Sequence, residues 1–545
     1  MPYKKLNFQK LFLLTLSGFL FGFSFPPFKT GVFSFFAFIP LFFVLSDAKG
    51  RNFLNAYYTF FVFNLISISW IGGFNHAKDT FLMIGGGALL VIHPFLMSLP
   101  IAFFNIIHKN FNFKTAIYCF PFLWVSFEYL HSITEFAFPW LTLGSTLTYD
   151  LQLIQLAEYI GVYGLSFWIV LMNILIFILL VKFVLKEFSL RDKSTLLLIS
   201  LILVSYLLPK IYGNYILTNQ NQEKKETIVK VGIIQPNIDP WEKWNTIKEV
   251  EQIDIQLKMS VEIAESSDLI IWPETGIPFY ILLPQYETYL NELRNSVNIF
   301  KFSLLTGFPE IHFFDSTDKN VPKTVKRSKI NESIYATYNS SFLLVPDSKT
   351  IQKYSKIRLV PFSERVPYAE TLHFLSFLEW DVGISGWEIG KDTTVFVLPL
   401  KNNDTVRFSN LICYESIYPS FVKDFVRKGA EFLTIITNDS WWGDSFGPYQ
   451  HERYAVLRAV ENRRWIARCA NGGISCFIDP YGNVYNETSM FTQYVIHKII
   501  YINKDFTFYT EKGDLIPEFS LLISIFVVSA IIGKKFYIYV RRKNE

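Results

Sequence analysis

The chain has 545 residues, of which 51% are hydrophobic and 18% are charged, against about 25% charged residues in an average globular protein. This deficit argues against a wholly soluble protein, and 56 Phe, 29 Tyr and 12 Trp exclude an intrinsically disordered one. Four cysteines are too few for a disulfide framework, and a net charge of +4 is too small to indicate nucleic-acid binding.

The charges are unevenly distributed along the chain. Residues 1–213 contain 22 Lys, Arg, Asp and Glu, whereas the other 332 positions contain 76, which is a globular proportion. We therefore predict a transmembrane bundle over residues 1–213 and a soluble domain over residues 228–505. An apolar run around residues 519–533 adds a C-terminal transmembrane helix over residues 515–540.

Seven apolar runs precede the soluble domain and predict seven membrane spans. They cover residues 11–28, 32–45, 53–73, 80–107, 115–140, 161–184 and 194–212. A spanning helix needs about 20 apolar residues, so the second run is short and is the one whose crossing is least secure. A cleaved signal peptide is the alternative for the first run, but no small-x-small cleavage site follows it.

The placement of Lys and Arg predicts the orientation, because these residues accumulate in cytoplasmic links. With eight spans, sixteen of them fall on one side of the membrane. The links on the other side carry Lys29 and Lys78, and Lys210 lies where the seventh span ends. This pattern places both termini in the cytoplasm and the soluble domain on the opposite face.

Strand and helix patterns alternate through the soluble domain and predict a layered α/β fold. The predicted strands are residues 229–235, 268–272, 302–307, 341–346, 406–413, 432–437 and 473–479, and the predicted helices are residues 246–264, 286–297, 420–428 and 450–462. The sequence has no P-loop, Rossmann glycine fingerprint or Cys-x-x-Cys pair, so we predict no metal and no cofactor.

Three predicted strands or their immediate continuations end in a side chain that could carry chemistry, namely Glu274, Lys356 and Cys413. Residues just past strand ends gather at one crevice in layered α/β folds. There Glu274 could act as a general base for the Cys413 thiol, and the Lys356 ammonium could stabilise the thiolate and an oxyanion. The backbone N–H of Tyr414 could be a second oxyanion donor.

Each of these residues alone also has a structural explanation. A cysteine that closes an apolar strand is usually a small buried hydrophobe, which is how we interpret Cys119, Cys469 and Cys476. A Glu after Trp-Pro could cap a helix, and a Lys after Tyr-Ser could lie on the surface. The residue types alone therefore leave the triad open.

The residues of four motifs resemble those of the nitrilase superfamily and, within it, of the apolipoprotein N-acyltransferase family. The motifs that carry the resemblance are Trp272-Pro273-Glu274-Thr275, Pro361-Phe362-Ser363-Glu364-Arg365-Val366-Pro367, Asn438-Asp439-Ser440-Trp441-Trp442-Gly443-Asp444 and, in the membrane part, Phe138-Pro139-Trp140-Leu141. The resemblance implies a multi-pass α-helical membrane bundle plus an αββα nitrilase-like sandwich, with a Glu-Lys-Cys triad at Glu274, Lys356 and Cys413.

The same resemblance implies supporting roles for five further residues. Glu364 matches a second essential carboxylate, and Tyr414 and Glu415 match positions that flank the nucleophile. Trp244 resembles the family's substrate-loop tryptophan, and Trp441 lies on the loop after the Asn-Asp pair. One departure is Ser363, where the family usually has Gly. It puts the local turn in doubt, since Gly could serve there for a positive φ.

The resemblance implies an enzyme of a bacterial inner membrane whose catalytic domain is periplasmic. It would transfer a fatty acyl chain from a phospholipid, typically a phosphatidylethanolamine, to the α-amino group of S-diacylglyceryl-cysteine on an apolipoprotein, in a ping-pong cycle. Three alternatives remain: a membrane-tethered amidase, a non-enzymatic transporter or scaffold, and a Cys-His protease that uses His451.

Overall fold

The computed structural model describes residues 3–47, 50–73, 80–219, 227–243, 249–315, 318, 321–328, 332–371 and 386–544. The chain forms two compact units. The first comprises Met1–Gln220 together with Lys512–Glu545, and the second comprises Asn221–Glu511.

The first unit is entirely helical in the part of it that the structure describes. Its helices are α1 (Tyr3–Gly22), α2 (Ile39–Leu45), α3 (Asn52–Ser67), α4 (Thr80–Met97), α5 (Leu99–Asn110), α6 (Phe113–Ile133), α7 (Leu151–Ile154), α8 (Ala157–Val184) and α9 (Lys193–Thr218). The C-terminal helix α15 (Leu515–Asn544) also belongs to this unit.

Four helical segments of the described chain are long and apolar enough to cross a membrane: Leu82–Asn110, Ala157–Val184, Lys193–Thr218 and Leu515–Lys543. Each is longer than the about 20 residues that a bilayer requires. Large apolar side chains on α9 and α15 are exposed, among them Leu208, Ile211 and Phe526. Such faces are typical of helices that contact lipid.

The remaining predicted spans correspond to helices α1, α3 and α6 and to the short second run. That run forms a 3₁₀ turn, Gly31–Phe35, followed by the seven-residue helix α2. The buried side chain of Asn173 serves its backbone, because Asn173 donates to Ser34 O at 2.8 Å and accepts from Phe38 N at 2.9 Å. Irregular backbone inside a membrane bundle needs such partners. The count of eight spans stays a prediction.

The second unit contains every strand that the structure describes. These are β1 (Ile228–Gln235), β2 (Leu269–Ile271), β3 (Ser303–Phe314), β4 (Lys326–Arg327), β5 (Ile334–Leu344), β6 (Gln352–Ser355), β7 (Phe396–Pro399), β8 (Thr405–Ile412), β9 (Phe432–Thr437), β10 (Ile466–Ala470), β11 (Cys476–Ile478), β12 (Val484–Tyr485) and β13 (Tyr494–Tyr501). The helices are α10 (Glu249–Val261), α11 (Glu287–Phe300), α12 (Pro419–Arg427), α13 (Phe446–Asn462) and α14 (Phe508–Lys512), which ends at the unit boundary.

The strands form two stacked sheets between helices, which gives the predicted αββα sandwich. One sheet has the order β13-β1-β2-β3-β5-β4, with β6 also paired to β5, and the other has the order β12-β11-β10-β9-β8-β7. Strands β1, β2 and β3 run parallel, as do β8, β9 and β10. Side chains such as Asn410, which donates to Ser341 Oγ at 3.1 Å, join the two sheets.

Several predicted strands are wrong in extent. The prediction for residues 341–346 covers only the end of β5, which begins at Ile334. The prediction for residues 473–479 shrinks to Cys476–Ile478. Strand β6 was expected only as the strand end before Lys356, and the strands not predicted at all are β4, β7, β10, β12 and β13. In β10 the reason is Arg468, a fully buried arginine that makes the strand look polar in sequence.

Candidate active site

Glu274 lies on a tight turn directly after the buried strand β2. In this Glu274 turn (residues 273–276), Gly276 N donates to Pro273 O at 3.0 Å, and Thr275 adopts a left-handed φ of 47°. Gly307 of β3 lies behind the turn, and a Cβ there would approach Thr275 N to 2.5 Å. The turn is therefore pressed against β3 with no space for a side chain between them, and this fixes the Glu274 backbone.

Lys356 follows β6 and points its ammonium at two carboxylates. Its Nζ lies 3.2 Å from Glu274 Oε1 and 2.9 Å from Glu364 Oε1, and its side chain is 1% exposed. The backbone of Lys356 is held at both ends, because its N–H donates to Asn339 O and its carbonyl accepts from Gly390 N, each at 2.8 Å. The structure thus brings Glu274, Lys356 and Glu364 into direct contact.

Asn339 of β5 completes this cluster and was not among the predicted site residues. Its Nδ2 donates to Glu274 Oε1 at 2.8 Å and to Glu364 Oε1 at 3.0 Å. The second oxygen of Glu364 accepts from Val360 N at 2.8 Å. One amide and one ammonium therefore hold the two carboxylate oxygens side by side.

The doubt about Ser363 is resolved by the backbone. Ser363 is absent from the residues with positive φ in the described chain, and the left-handed position of this loop is Phe362, with φ 64°. The loop is closed by Phe362 N, which donates to Arg365 O at 2.8 Å, and by Glu364 N, which donates to Val360 O at 3.0 Å. Glu364 is positioned without a glycine at residue 363.

Cys413 begins a 3₁₀ turn, Cys413–Ile417, at the end of β8 and has a left-handed φ of 52°. Its side chain is buried, as are those of Tyr414 and Glu415. The carbonyl oxygen of Cys413 accepts from Ser416 Oγ at 2.8 Å and lies 3.1 Å from His451 Nε2. The strained backbone of the nucleophile candidate is therefore held from behind by two side chains.

Glu415 joins the Cys413 turn to the loop that carries Lys356. Its Oε2 accepts from Ile412 N at 2.8 Å, while Oε1 accepts from Tyr354 Oη at 2.6 Å and from Ile357 N at 2.7 Å. Burial raises the pKa of Glu415 to about 7, although these hydrogen bonds oppose the shift. Glu415 is thus a brace between two strand ends rather than a group that faces substrate.

The charges in the cluster act on the thiol in opposite directions. Burial and the negative charge of Glu274 raise the pKa of Cys413 well above its ordinary value, while Lys356 lowers it. Burial opposes the charge of Lys356, but attraction to Glu274 and Glu364 outweighs burial and raises the pKa of that ammonium. At rest, therefore, the thiol is protonated and the lysine is charged.

A second polar network lies behind the nucleophile. His451 Nδ1 is 2.9 Å from Asp439 Oδ1, and Arg468 donates to the other oxygen of Asp439. Despite burial, Arg468 and His451 lower the pKa of Asp439. Cys413, Asp439 and His451 each present a possible metal-ligand atom within 4.8 Å of the others. The Arg468 cation already neutralises Asp439, so this donor set is not suited to a further cation.

The network also bears on the Cys-His alternative. A carbonyl oxygen can only accept, so His451 donates from Nε2 to Cys413 O, and its other ring nitrogen faces Asp439. In this arrangement the imidazole orients the backbone of Cys413. The Glu274 carboxylate, whose negative charge acts on the Cys413 thiol, is the candidate for taking the thiol proton.

The two predicted tryptophans differ in what the structure says of them. Trp244 lies outside the described residues. Trp441 is partly buried on the 3₁₀ turn Asp439–Trp442, and its ring meets that of Trp241 edge to face with 5.0 Å between centroids. Trp241 and Lys243 belong to the sequence motif Pro240-Trp241-Glu242-Lys243-Trp244, and the sequence predicted no role for either.

Comparison with known proteins follows the division into two units. Residues 17–175 match the family model described as apolipoprotein N-acyltransferase N-terminal domain, and residues 230–500 match the carbon-nitrogen hydrolase model. An apolipoprotein N-acyltransferase of Chlorobaculum tepidum is 36% identical over 526 residues, which is 95% of this chain and 95% of that protein. One of Geobacter metallireducens is 34% identical and covers 73% of this chain and 70% of that protein.

Solved structures of the nitrilase superfamily resemble about half of this chain at low identity. Nit3 of Saccharomyces cerevisiae, a member of branch 10 of that superfamily, has 17% identity and a TM-score of 0.36, covering 51% of this chain and 91% of its own. The full-length relatives and the two family models carry the assignment.

Proposed function

The chain belongs to the apolipoprotein N-acyltransferase family and N-acylates lipoproteins, and we propose that it does so through an acyl-thioester on Cys413. The acyl donor is a membrane phospholipid, and the acceptor is the α-amino group of S-diacylglyceryl-cysteine at the N-terminus of an apolipoprotein. No metal or cofactor enters the proposed reaction. Both substrates are lipids or lipid-anchored, which accounts for the apolar helices of the first unit.

The protein is a bacterial inner-membrane protein, and we propose that its catalytic unit faces the periplasm with both termini in the cytoplasm. The asymmetric distribution of Lys and Arg supports this orientation. Protease treatment of spheroplasts tests it, since the second unit should be cleaved in intact spheroplasts while a tag after residue 545 survives until the membrane is opened. Cleavage of the tag in intact spheroplasts would show that the orientation is opposite to the one proposed.

One observation carries the mechanism: a charged lysine is held between two carboxylates beside a buried, protonated thiol. Lys356 Nζ contacts Glu274 at 3.2 Å and Glu364 at 2.9 Å, and charges on Lys356 and Glu274 both act on Cys413. General base, electrophilic donor and nucleophile are thus supplied by three strand ends.

In the first half-reaction Glu274 takes the proton of the Cys413 thiol while the sulfur attacks the ester carbonyl of the phospholipid. The Lys356 ammonium and the Tyr414 N–H stabilise the oxyanion that forms. When the carbon–oxygen bond of the ester breaks, the leaving alkoxide takes the proton from Glu274. The products are a lysophospholipid and a thioester on Cys413.

In the second half-reaction the neutral α-amino group of the apolipoprotein attacks the thioester. Glu274 accepts a proton from the amine nitrogen, and Lys356 again faces the oxyanion. Collapse breaks the carbon–sulfur bond, and the departing Cys413 thiolate regains its proton from Glu274. The acyl chain ends on the amine as an amide, and the enzyme returns to its starting state.

The test is replacement of the nucleophile in the full-length protein. Cys413→Ala should abolish the long-chain acyl adduct that intact-protein mass spectrometry finds after incubation with phosphatidylethanolamine, and should abolish triacylated lipoprotein in a depleted strain. Cys119→Ala, which removes a cysteine of α6 in the first unit, is the matched control. Persistence of triacylated product with Cys413→Ala would overturn the mechanism.

A tethered amidase remains the competing function, and the same preparation distinguishes it. An amidase would transfer acyl groups from small amides to water and would form little adduct with phospholipid. Faster turnover of short amides than of phosphatidylethanolamine by the wild type would favour that function.

A further inference from the structure

A second buried lysine, Lys243, lies beside the candidate base and has no role in the mechanism above. Its side chain is 2% exposed, and its Nζ donates to Thr275 Oγ1 at 2.9 Å and reaches the backbone oxygen of Glu274 at 3.4 Å. A buried ammonium is costly unless it is hydrogen-bonded and faces negative charge. Here both bonds go to the Glu274 turn, so the cost is offset at that turn.

The backbone of Lys243 is fixed to the same place through helix α10. Gln252 Nε2 donates to Lys243 O at 2.8 Å, and one helical turn later Gln256 Nε2 donates to Gly276 O at 2.7 Å. Both glutamines are buried. Residues 239–243, which we call the Lys243 segment, and the Glu274 turn are therefore joined twice, once by the ammonium and once by two amides of one helix.

The opposite end of the Lys243 segment contacts a predicted substrate residue. Lys243 N donates to Asp239 O at 2.9 Å, which folds the segment into a turn, and Trp241 on that turn packs against Trp441 with 5.0 Å between ring centroids. Trp441 is thus linked through Trp241 to the segment that carries Lys243.

We propose that Lys243 is a positioning residue, which fixes the Glu274 turn through Thr275 and the Glu274 carbonyl and ties that turn to the Trp241–Trp441 pair. Its ammonium also faces the Glu274 carboxylate electrostatically. Both hydrogen bonds that its ammonium makes in the described chain go to the Glu274 turn, so we assign its effect to that turn. The inference rests on the proposed function, since it assigns Lys243 to the base of that reaction.

Because Lys243 is titratable, its role as a charged group predicts an effect on the rate that depends on pH, whereas a purely steric role does not. Burial lowers the pKa of Lys243 to about 7, and Glu274 acts in the opposite direction. The other titratable groups near Glu274 in the described chain are Lys356, Glu364 and Cys413. Lys243 therefore carries its charge at pH 6 and loses it as the pH rises above about 7.

The experiment compares wild type with Lys243→Met, which keeps the length of the side chain and removes the charge and its donors. We measure kcat and KM for complete N-acylation, with phosphatidylethanolamine in micelles as the donor and a diacylated peptide as the acceptor, from pH 6 to pH 9. At pH 6 kcat should fall about tenfold, as for a loss of one weak electrostatic interaction, while KM changes less than about twofold. The deficit should shrink to about threefold or less at pH 9, where the wild-type lysine is neutral.

Two further variants keep the test decisive if Lys243→Met folds poorly. Thr275→Val removes the hydroxyl acceptor and should lower kcat in the same way, whereas Thr275→Ser should restore it. Lys423→Met, which replaces a buried lysine of α12 that lies 5.7 Å from the Tyr509 ring, is the matched control and should leave kcat unchanged.

A deficit of Lys243→Met that is equal at pH 6 and pH 9, or one confined to KM, would overturn the inference while leaving the proposed function intact. Equal activity of Thr275→Val and Thr275→Ser would do the same. Failure of the wild type itself to form an adduct with phosphatidylethanolamine would overturn the proposed function, and the role of Lys243 with it.

Discussion

The sharpest prediction concerns Asn339, which holds the two carboxylates of the cluster. We consider Asn339→Leu, because leucine keeps the shape of the side chain and removes the amide. The amide makes two hydrogen bonds to charged groups, at 2.8 Å to Glu274 and 3.0 Å to Glu364. Hydrogen bonds to charged partners contribute about 1.5–3 kcal/mol each, so about 3–6 kcal/mol of interaction is lost.

Part of this energy appears as lost stability and part as lost rate. Lys356 still contacts both carboxylates, so we expect the cluster to persist with Glu274 free to rotate about its side-chain bonds. If about 3–4 kcal/mol of the loss falls on the transition state, the rate drops about 10²–10³-fold. The magnitude agrees with the about 10²–10⁴-fold contribution of a well-placed general base.

The assay is the single-turnover rate of Cys413 acylation from phosphatidylethanolamine, followed by intact-protein mass spectrometry. Asn462→Leu is the matched control. Asn462 is also fully buried and hydrogen-bonded, with its Nδ2 at 3.0 Å from Arg458 O, but it lies at the end of α13. It should cost similar stability with a rate within about threefold of wild type. If Asn339→Leu acylates as fast as Asn462→Leu, the amide does not position the base.

Three further predictions use the same assay together with thermal unfolding of the full chain in micelles. Gly307→Ala should slow acylation more than about tenfold, because the new Cβ would lie 2.5 Å from Thr275 N and 2.8 Å from Glu274 Cα. Gly533→Ala is the control and should leave the acylation rate unchanged, because a Cβ there would meet nothing within 4 Å in the described chain. Lys356→Met should abolish acylation and destabilise the protein by about 3–5 kcal/mol. Adding Glu364→Gln should recover part of the stability but not the rate. A double variant no more stable than Lys356→Met alone would contradict the proposed ion pair. Glu415→Gln should slow acylation, because an amide placed at Oε2 would face the N–H of Ile412. Burial raises the pKa of Glu415 to about 7, so the contribution of Glu415 to stability is lost as the pH rises through 7. The melting temperature of the wild type minus that of the variant should therefore be larger at pH 5 than at pH 7.

The sequence predicted which residues lie at the strand ends better than it predicted the extent of the strands. Glu274 comes after the fully apolar and fully buried strand β2, and Cys413 follows β8, whose last five residues are buried. Asn339 was missed because β5 begins seven residues before the predicted strand, in a segment of alternating aromatic and polar residues that does not look buried. Its role depends on which strand lies next to β6, and one sequence does not reveal strand order.

Long-range pairing explains the other gaps. Strand β13 pairs with β1 along its whole length, from Ile228 opposite Tyr501 to Gln235 opposite Tyr494, although more than 250 residues separate them in the chain. Its His497 and Lys498 gave it no clear apolar alternation. Lys243 was visible in a motif, but its burial results from helix α10 and the Glu274 turn closing over it, which no local pattern encodes.

The presence of two carboxylates on one lysine has a mechanistic reason under the proposed cycle. Burial and the negative charge of Glu274 both disfavour a thiolate on Cys413 and raise the pKa of its thiol. The proton therefore moves to Glu274 as the ester carbonyl arrives and its oxygen takes the new charge. At that moment Glu274 becomes neutral and stops attracting Lys356.

Glu364 then keeps the ammonium in place. Its Oε1 stays 2.9 Å from Lys356 Nζ, and its Oε2 is anchored by Val360 N at 2.8 Å, so its position does not depend on the protonation of Glu274. Without it, the lysine would be least firmly held at the step in which it must stabilise the oxyanion. Glu274 handles the proton, and Glu364 makes the electrophilic role of Lys356 independent of where that proton is.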